Sequence, residues 1–301
     1  MKNKSLLATF LTSALRGFKK DASFLSRAVV VLFLLWVLII AVSISYFYTN
    51  QELLIFKFPS KEVAENIQLP GLKTENFEFQ SSNGHKHTGW YLKKENSTKN
   101  LLYFYGANEN VKSSIDRLKW LASFSKCSLI ICDYPGYGKS EGKPSEKKFD
   151  EYIDSLKKTL NEKGIVGNKK LIVWGYNIGG YMALKFNQNS NLECLILEST
   201  FSSIEKLTVD QFPFLYLVPF NVMSRNKFDN LSLIENVKNP IILIHSENDY
   251  SIPILHAQRL FNHSSKIKGF IKTQNSHKIT FPNDLNEYKT ALRKHLPNWF
   301  Y

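Results

Sequence analysis

From Leu101 onward, short unbroken apolar runs alternate with stretches of helical periodicity, and few folds tolerate that pattern. LLYFY (101–105), CSLIICD (127–133), KLIVW (170–174), LECLILE (192–198), PIILIH (240–245) and KGFIKT (268–273) read as strands apolar on both faces. Between them, residues 111–124, 145–160, 177–187, 255–261 and 285–296 carry apolar groups at helical spacing. A strand that is apolar on both faces needs cover on both faces. The expected product is therefore a mostly parallel sheet between two helical layers. LLIFKF (53–58), NFEFQ (76–80) and HTGWYLKK (87–94) come earlier and read as further strands, the last following the turn dipeptide Asn83-Gly84.

Upstream of this pattern, residues 28–48 read AVVVLFLLWVLIIAVSISYFY without a charge. That length matches the hydrocarbon thickness of a bilayer, and the run is apolar all round. Arg16, Lys19, Lys20 and Arg27 precede it, which orients the N-terminus to the cytoplasm and the main domain to the opposite side. A cleaved signal is the competing reading, opposed by the long basic region and the long apolar run. Residues 1–27 themselves have a basic amphipathic pattern (Leu6, Leu7, Phe10, Leu11, Ala14, Leu15, Phe18), as do interfacial helices and mitochondrial presequences. The expected organisation is a basic segment at 1–27, an anchor at 28–48 and a globular domain at 49–301.

The chain of 301 residues carries a formal net charge of +13. Spread over a surface, that excess favours anionic partners such as lipid headgroups. No zinc-finger, RNA-binding or basic-heptad signature accompanies it, so nucleic acid is not an expected partner. Cys127, Cys132 and Cys194 are an odd set inside apolar runs, which suits small core residues and not a disulfide framework.

The chemistry-bearing feature is GYNIGG (175–180), between the strand KLIVW and a helix. Its position and shape are those of a nucleophile elbow, G-x-S-x-G, with Asn177 in the central place. The turn forces the central residue toward positive φ, which asparagine adopts more readily than most residues. A carboxamide has no O–H or S–H for a base to activate. Asp249 follows the strand PIILIH, and His277 follows KGFIKT. The chain order of elbow, acid and histidine is that of a hydrolytic triad on such a sheet, Asp249 orienting His277.

These motifs resemble the membrane-anchored branch of the α/β-hydrolase superfamily, the bud-emergence-type and serine-aminopeptidase-like hydrolases. The resemblance runs from about residue 76 to 296 through YGANEN, DYPGYGKSEGKPSE, GYNIGG, LESTFSSI, FDNLSLIENVKNPIILIHSENDYSIP and NSH. It implies an α/β-hydrolase fold with an eight-stranded-type sheet and hydrolysis of acyl esters, thioesters or amides without cofactor or metal. It also places the oxyanion-hole donors at the backbone N–H groups of Ala107 and Ile178. Two positions depart from it: the family serine is Asn177, and its His-Gly oxyanion loop is Tyr105-Gly106.

The apolar, proline-containing stretch 212–223 suggests a lid within residues 201–233, an outer-layer helix being the alternative. Ser199, Ser202 and Ser203 follow a strand with no histidine placed beside them by the pattern. His85 and His87 share a strand face without a third ligand. Asp133 is expected to stabilise a turn. Three sequons begin at Asn96, Asn230 and Asn262. Three functional readings follow. The first is a catalytically impaired hydrolase binding a small acyl or lipid-like ligand. The second is an active enzyme whose Asn177 deamidates to a carboxylate nucleophile. The third is a non-catalytic membrane-surface protein binding lipid or a partner.

Overall fold

The computed structural model describes residues 24–56, 62–64, 67–213, 224–274 and 285–301. It divides into two compact units, Met1–Asn50 and Gln51–Tyr301. In the first, the described residues belong to helix α1 (Phe24–Phe56), which leaves helical geometry at Asn50 (φ −114°, ψ 20°). Within α1, Ser26–Tyr46 is long and apolar enough to cross a membrane, with a mean hydropathy of 3.0 and nothing buried. LLIFKF does not form the expected strand, because Leu53–Phe56 complete α1. Gln51 and Phe56 are buried and Leu53 is exposed, a one-sided burial suited to a helix, and Phe56 packs edge-on against Phe149 and Phe228.

The second unit is built on an eight-stranded sheet of order β1-β2-β4-β3-β5-β6-β7-β8. The strands are β1 (Leu72–Gln80), β2 (Lys86–Lys94), β3 (Lys99–Phe104), β4 (Ser128–Cys132), β5 (Lys170–Tyr176), β6 (Cys194–Glu198), β7 (Ile241–Ser246) and β8 (Ile267–Thr273). β1–β2 and β2–β4 pair antiparallel and all other neighbours pair parallel. Every residue of β4, β6 and β7 is buried, as unbroken apolar runs require of central strands. By contrast β1 alternates, with Phe77 and Phe79 buried and Glu78 and Gln80 exposed, because one of its faces meets water.

Helices cover both faces. α3 (Glu146–Glu162), α4 (Gly179–Asn187) and α6 (Asn230–Glu235) pack in succession on one side. α2 (Ile115–Phe124) and α8 (Leu285–His295) meet on the other, where the rings of Trp120 and Tyr288 lie 5.4 Å apart. α5 (Ile204–Gln211) and α7 (Leu255–Asn262) complete the described helices. α3 begins on Ser145, whose side chain accepts the Lys148 N–H and satisfies one orphan donor of the first turn. The stretch 214–223, part of the suggested lid at 201–233, lies outside the described residues. All three cysteines are buried free thiols, and burial pushes Cys127 up to about 11.

The buried histidines set the acid response. His87 is enclosed by the rings of Phe79 and Tyr152 and lies 2.9 Å from Ser81 Oγ. Burial lowers its pKa to about 4, and burial does the same to His256. Each stays neutral in the folded chain and takes a proton more readily once unfolded. Their stabilisation is therefore present above pH 6.5 and lost as pH falls toward 4. At a shift of this size the loss is about 3 kcal/mol per group. Asp133 works in the opposite sense: burial raises its pKa to about 6, so acidification through pH 6 relieves a buried charge. With two groups against one, the net expectation is lower stability at pH 4.5 than at pH 7.5. His87→Gln should remove roughly half of the histidine contribution, read from chemical unfolding at the two pH values. An unchanged pH slope in that variant would refute the assignment.

Candidate active site

The loops that leave the carboxyl ends of β3, β5, β6 and β7 converge on one edge of the sheet, where ligands of open α/β sheets bind. β5 ends at Tyr176 and α4 starts at Gly179, so the chain reverses within two residues. Asn177 takes φ 56°, the left-handed conformation expected of the central elbow residue. The glycines are sterically required. A Cβ on Gly175 would lie 2.2 Å from the Gly179 carbonyl oxygen, and one on Gly179 would lie 2.2 Å from that of Phe104. The Asn177 backbone is held from both sides. Its N–H donates to the Glu198 carbonyl (3.0 Å), and its carbonyl accepts from Gly180 N–H (3.1 Å) and Thr200 Oγ1 (2.7 Å).

The Asn177 side chain is half-buried and turns back onto its own loop. Oδ1 accepts the Ile178 N–H at 2.7 Å and faces the Ala107 N–H at 3.5 Å. Two converging donors demand an acceptor, which fixes the oxygen of the carboxamide on this side. Ala107 and Ile178 are the two backbone donors expected to form the oxyanion hole, and the structure brings them together on one atom.

The loop carrying Ala107 is rigidly braced. Tyr105 is fully buried and its ring stacks on Tyr134 at 4.0 Å and 22°. The Tyr105 hydroxyl accepts the Tyr134 N–H, and the Tyr134 hydroxyl donates to the Tyr105 carbonyl, both at 2.9 Å. The Tyr137 hydroxyl donates to the Ala107 carbonyl (2.8 Å), and Gly106 N–H donates to Glu109 Oε2 (3.0 Å). Tyr105 is thus a brace beneath the loop. Burial pushes its phenol well above the ordinary range, so it stays protonated.

Asp249 is buried in the loop after β7. Its Oδ1 accepts the N–H groups of Ser251 (3.0 Å) and Ile252 (2.8 Å), and its Oδ2 lies 3.7 Å from His245 Nε2. His245 Nε2 is 2.7 Å from the Ile252 carbonyl and donates there. The acid is thereby fixed in place at the sheet edge. His277 lies outside the described residues.

Several contacts run beyond the sequence reading. Glu198, at the end of β6, receives both terminal nitrogens of Arg117 (3.1 and 3.0 Å) and the Trp174 indole N–H (2.8 Å). Burial opposes the charge of Arg117, but the Glu198 carboxylate overrides it and holds the guanidinium charged. A signal existed: Arg117 stands among Ser114, Leu118, Leu121 and Phe124 on the buried face of the α2 region. The expectation that no histidine neighbours the serines after β6 is corrected. His256 Nδ1 lies 2.8 Å from Ser202 Oγ and accepts the Ser202 N–H (3.2 Å), while its Nε2 is 3.4 Å from Asp210 Oδ2. Ser202 and His256 are wholly buried, and the shared Nδ1 makes this a clamp between the loop after β6 and the first turn of α7. Asn230 is buried and donates to Thr200 Oγ1 and the Phe201 carbonyl, so its sequon is closed to modification. Among the described residues no His, Cys, Asp and Glu groups cluster as metal ligands, and His87 spends its contacts on Ser81, Phe79 and Tyr152.

Comparison with known proteins agrees with this architecture. The model of the prolyl oligopeptidase family (Peptidase_S9) matches residues 137–293, more than half of the chain. The chain is 24% identical over 201 residues to the α/β hydrolase domain-containing protein WAV2 of Arabidopsis thaliana, covering 62% of this chain and 65% of that one. It is 26% identical over 254 residues to the membrane protein YNL320W of Saccharomyces cerevisiae (81% and 88%). It is 24% identical over 214 residues to the lysophosphatidylserine lipase ABHD12 of Danio rerio (65% and 54%). The chain thus spans less than two thirds of WAV2 and of ABHD12. The Pyrococcus furiosus esterase Pf2001 superposes with a TM-score of 0.65 at 16% identity, over 80% of this chain and 97% of that one. With its eight-stranded sheet, its elbow after β5 and a family match over more than half its length, the chain belongs to the prolyl oligopeptidase family, within the α/β-hydrolase fold.

Proposed function

We propose that this chain is a membrane-anchored α/β-hydrolase-family protein that binds a small acyl or lipid-like ligand and hydrolyses it poorly or not at all. One observation carries the reading: the residue at the elbow, in the backbone conformation the nucleophile needs, is Asn177. Its side chain has no proton that a histidine could remove to make an attacking group. Donors for an acyl oxygen stand beside it, and a buried carboxylate, Asp249, lies in the loop after β7 at the same edge of the sheet, which is why the ligand is assigned to the acyl class. The lysophosphatidylserine lipase among the relatives and the apolar span Ser26–Tyr46 support a lipid-like ligand reached at a membrane. The basic residues before the span assign the N-terminus to the cytoplasm and the globular unit to the opposite side.

Conversion of Asn177 to aspartate is not favoured by the elbow. Ring closure needs the 177–178 peptide to rotate so that the Ile178 nitrogen reaches Cγ, and the Asn177 N–H and carbonyl are both pinned. Purified full-length chain in detergent, incubated with short acyl esters, a lysophospholipid and a fluorophosphonate probe, is expected to show no turnover above buffer and no label in the 175–180 peptide. That peptide should keep the mass of asparagine. Turnover blocked by the probe, or an aspartate at 177, would overturn the proposal.

A further inference from the structure

We propose that Asn177 is the internal occupant of the oxyanion hole, and that its carboxamide holds closed a site for the carboxylate or carbonyl head of an acyl ligand. The inference rests on the assignment of this site to acyl ligands and concerns how the site is regulated. It goes beyond the absence of a nucleophile, because a missing hydroxyl leaves a hole open while this side chain fills it.

The geometry is that of a bound ligand. In an acyl-transfer site, donors wait at 2.7–3.1 Å for an oxygen that gains negative charge. Here the Ile178 N–H already has such an oxygen at 2.7 Å, and Ala107 N–H faces the same atom at 3.5 Å. The atom is a carbonyl oxygen on a planar, neutral group, the chemical likeness of an ester or amide substrate before attack. The left-handed backbone at 177 is what lets one residue both shape the elbow and reach back to these donors. An incoming carbonyl must displace Oδ1 and leave its donors unsatisfied during the exchange. The longer contact to Ala107 is the weaker half of the occupancy, so displacement would begin there. The amide is tethered and needs no capture from solution, so it competes at high effective concentration against any free ligand.

Two consequences distinguish this from a merely inert site. First, the unaltered chain should show no preference for a carboxylate head over a neutral one. Second, removing the side chain without adding a nucleophile should create that preference. Glycine is the suitable replacement, since φ 56° costs it nothing.

The test is binding of octanoate and 1-octanol to the full chain in detergent, followed by ligand-observed NMR. The expected result for the unaltered chain is octanoate binding no tighter than octanol. In Asn177→Gly, octanoate should bind at least about tenfold tighter than to the unaltered chain, a gain of about 1.4 kcal/mol, while octanol changes by less than about threefold. Asn177→Ser, too short to bridge both donors, should move in the same direction. A thermal melt of each variant reports folding. Three outcomes would overturn the proposal: octanoate preferred by the unaltered chain, no octanoate gain in either folded variant, or equal gains for octanol. Turnover by the unaltered chain would sink the proposed function but leaves these binding ratios to be decided separately. Should both variants fail to fold, the octanoate-to-octanol ratio of the unaltered chain still decides the matter.

Discussion

Asn177→Ser is expected to raise ester hydrolysis at least about 100-fold above the unaltered chain. Two changes coincide in that one substitution, and the supporting loop is left as it is. A hydroxyl appears at the elbow, where φ 56° already aims the side chain as a nucleophile needs. The oxygen occupying the Ala107 and Ile178 donors is removed, so a substrate carbonyl can be polarised there. The braces under the Ala107 loop, Tyr134 and Tyr137, are untouched. Removing a triad serine elsewhere costs about a million-fold, so a gain of about 100-fold asks only part of the machinery to be in register. The gain should vanish when His277→Ala or Asp249→Ala is added, since the serine then lacks its base or the group that orients the base. Fluorophosphonate labelling of the variant should fall on residue 177 alone. A label on Ser202 would show that the buried Ser202–His256 clamp opens, against its complete burial. An inactive but folded Asn177→Ser variant would mean that the remaining groups are not arranged for acyl transfer.

The comparison of Asn177→Ser with Asn177→Gly separates two effects that the unaltered chain superimposes. If glycine gains carboxylate binding and serine gains turnover, the hole is competent and the nucleophile was the missing part. If glycine gains nothing, the donors are misplaced and no elbow substitution will restore chemistry.

What the sequence revealed of this site and what it concealed divide along chain distance. The elbow was legible because its causes are local: three glycines and a central asparagine between a strand and a helix, all within GYNIGG. The strands of the parallel core were legible because burial on both faces leaves unbroken apolar runs. The placement of β4 between β2 and β3 was not, because strand order depends on pairing between distant segments. LLIFKF misled because four apolar residues in a short run satisfy strand and helix patterns alike, and only the preceding span decides between them. Tyr105 departs from the pattern of the resemblance, which says nothing of its role; the packing shows a residue whose ring and hydroxyl brace the loop. The contact of Asn177 Oδ1 with the Ile178 and Ala107 N–H groups depends on one side-chain rotation, which no pattern of residue types encodes. The Arg117–Glu198 and Ser202–His256 contacts join residues 81 and 54 positions apart, beyond the reach of periodicity.

Arg117→Met should lower folding stability by about 3–5 kcal/mol, the ordinary cost of stranding one partner of a buried ion pair. Arg117 is 2% exposed, and it meets Glu198 with both terminal nitrogens. Without it, Glu198 keeps the Trp174 N–H at 2.8 Å but has a buried charge with no counter-charge from Arg117. The double variant Arg117→Met/Glu198→Gln removes both charges while the glutamine oxygen can still accept from Trp174. It should recover most of the loss, ending within about 2 kcal/mol of the unaltered chain, because a well-packed neutral replacement of a buried pair is often close to neutral. Chemical unfolding of the four chains in the cycle measures the coupling, expected to exceed about 2 kcal/mol for a pair in direct contact. The pair also bears on the elbow through the backbone, since the Glu198 carbonyl accepts the Asn177 N–H. That hydrogen bond does not need the carboxylate. Activity gained by Asn177→Ser should therefore survive in the double-variant background within about tenfold, even though the Arg117→Met background alone would unfold first. A loss of under about 1 kcal/mol for Arg117→Met would show instead that the pair is not what fixes this end of β6.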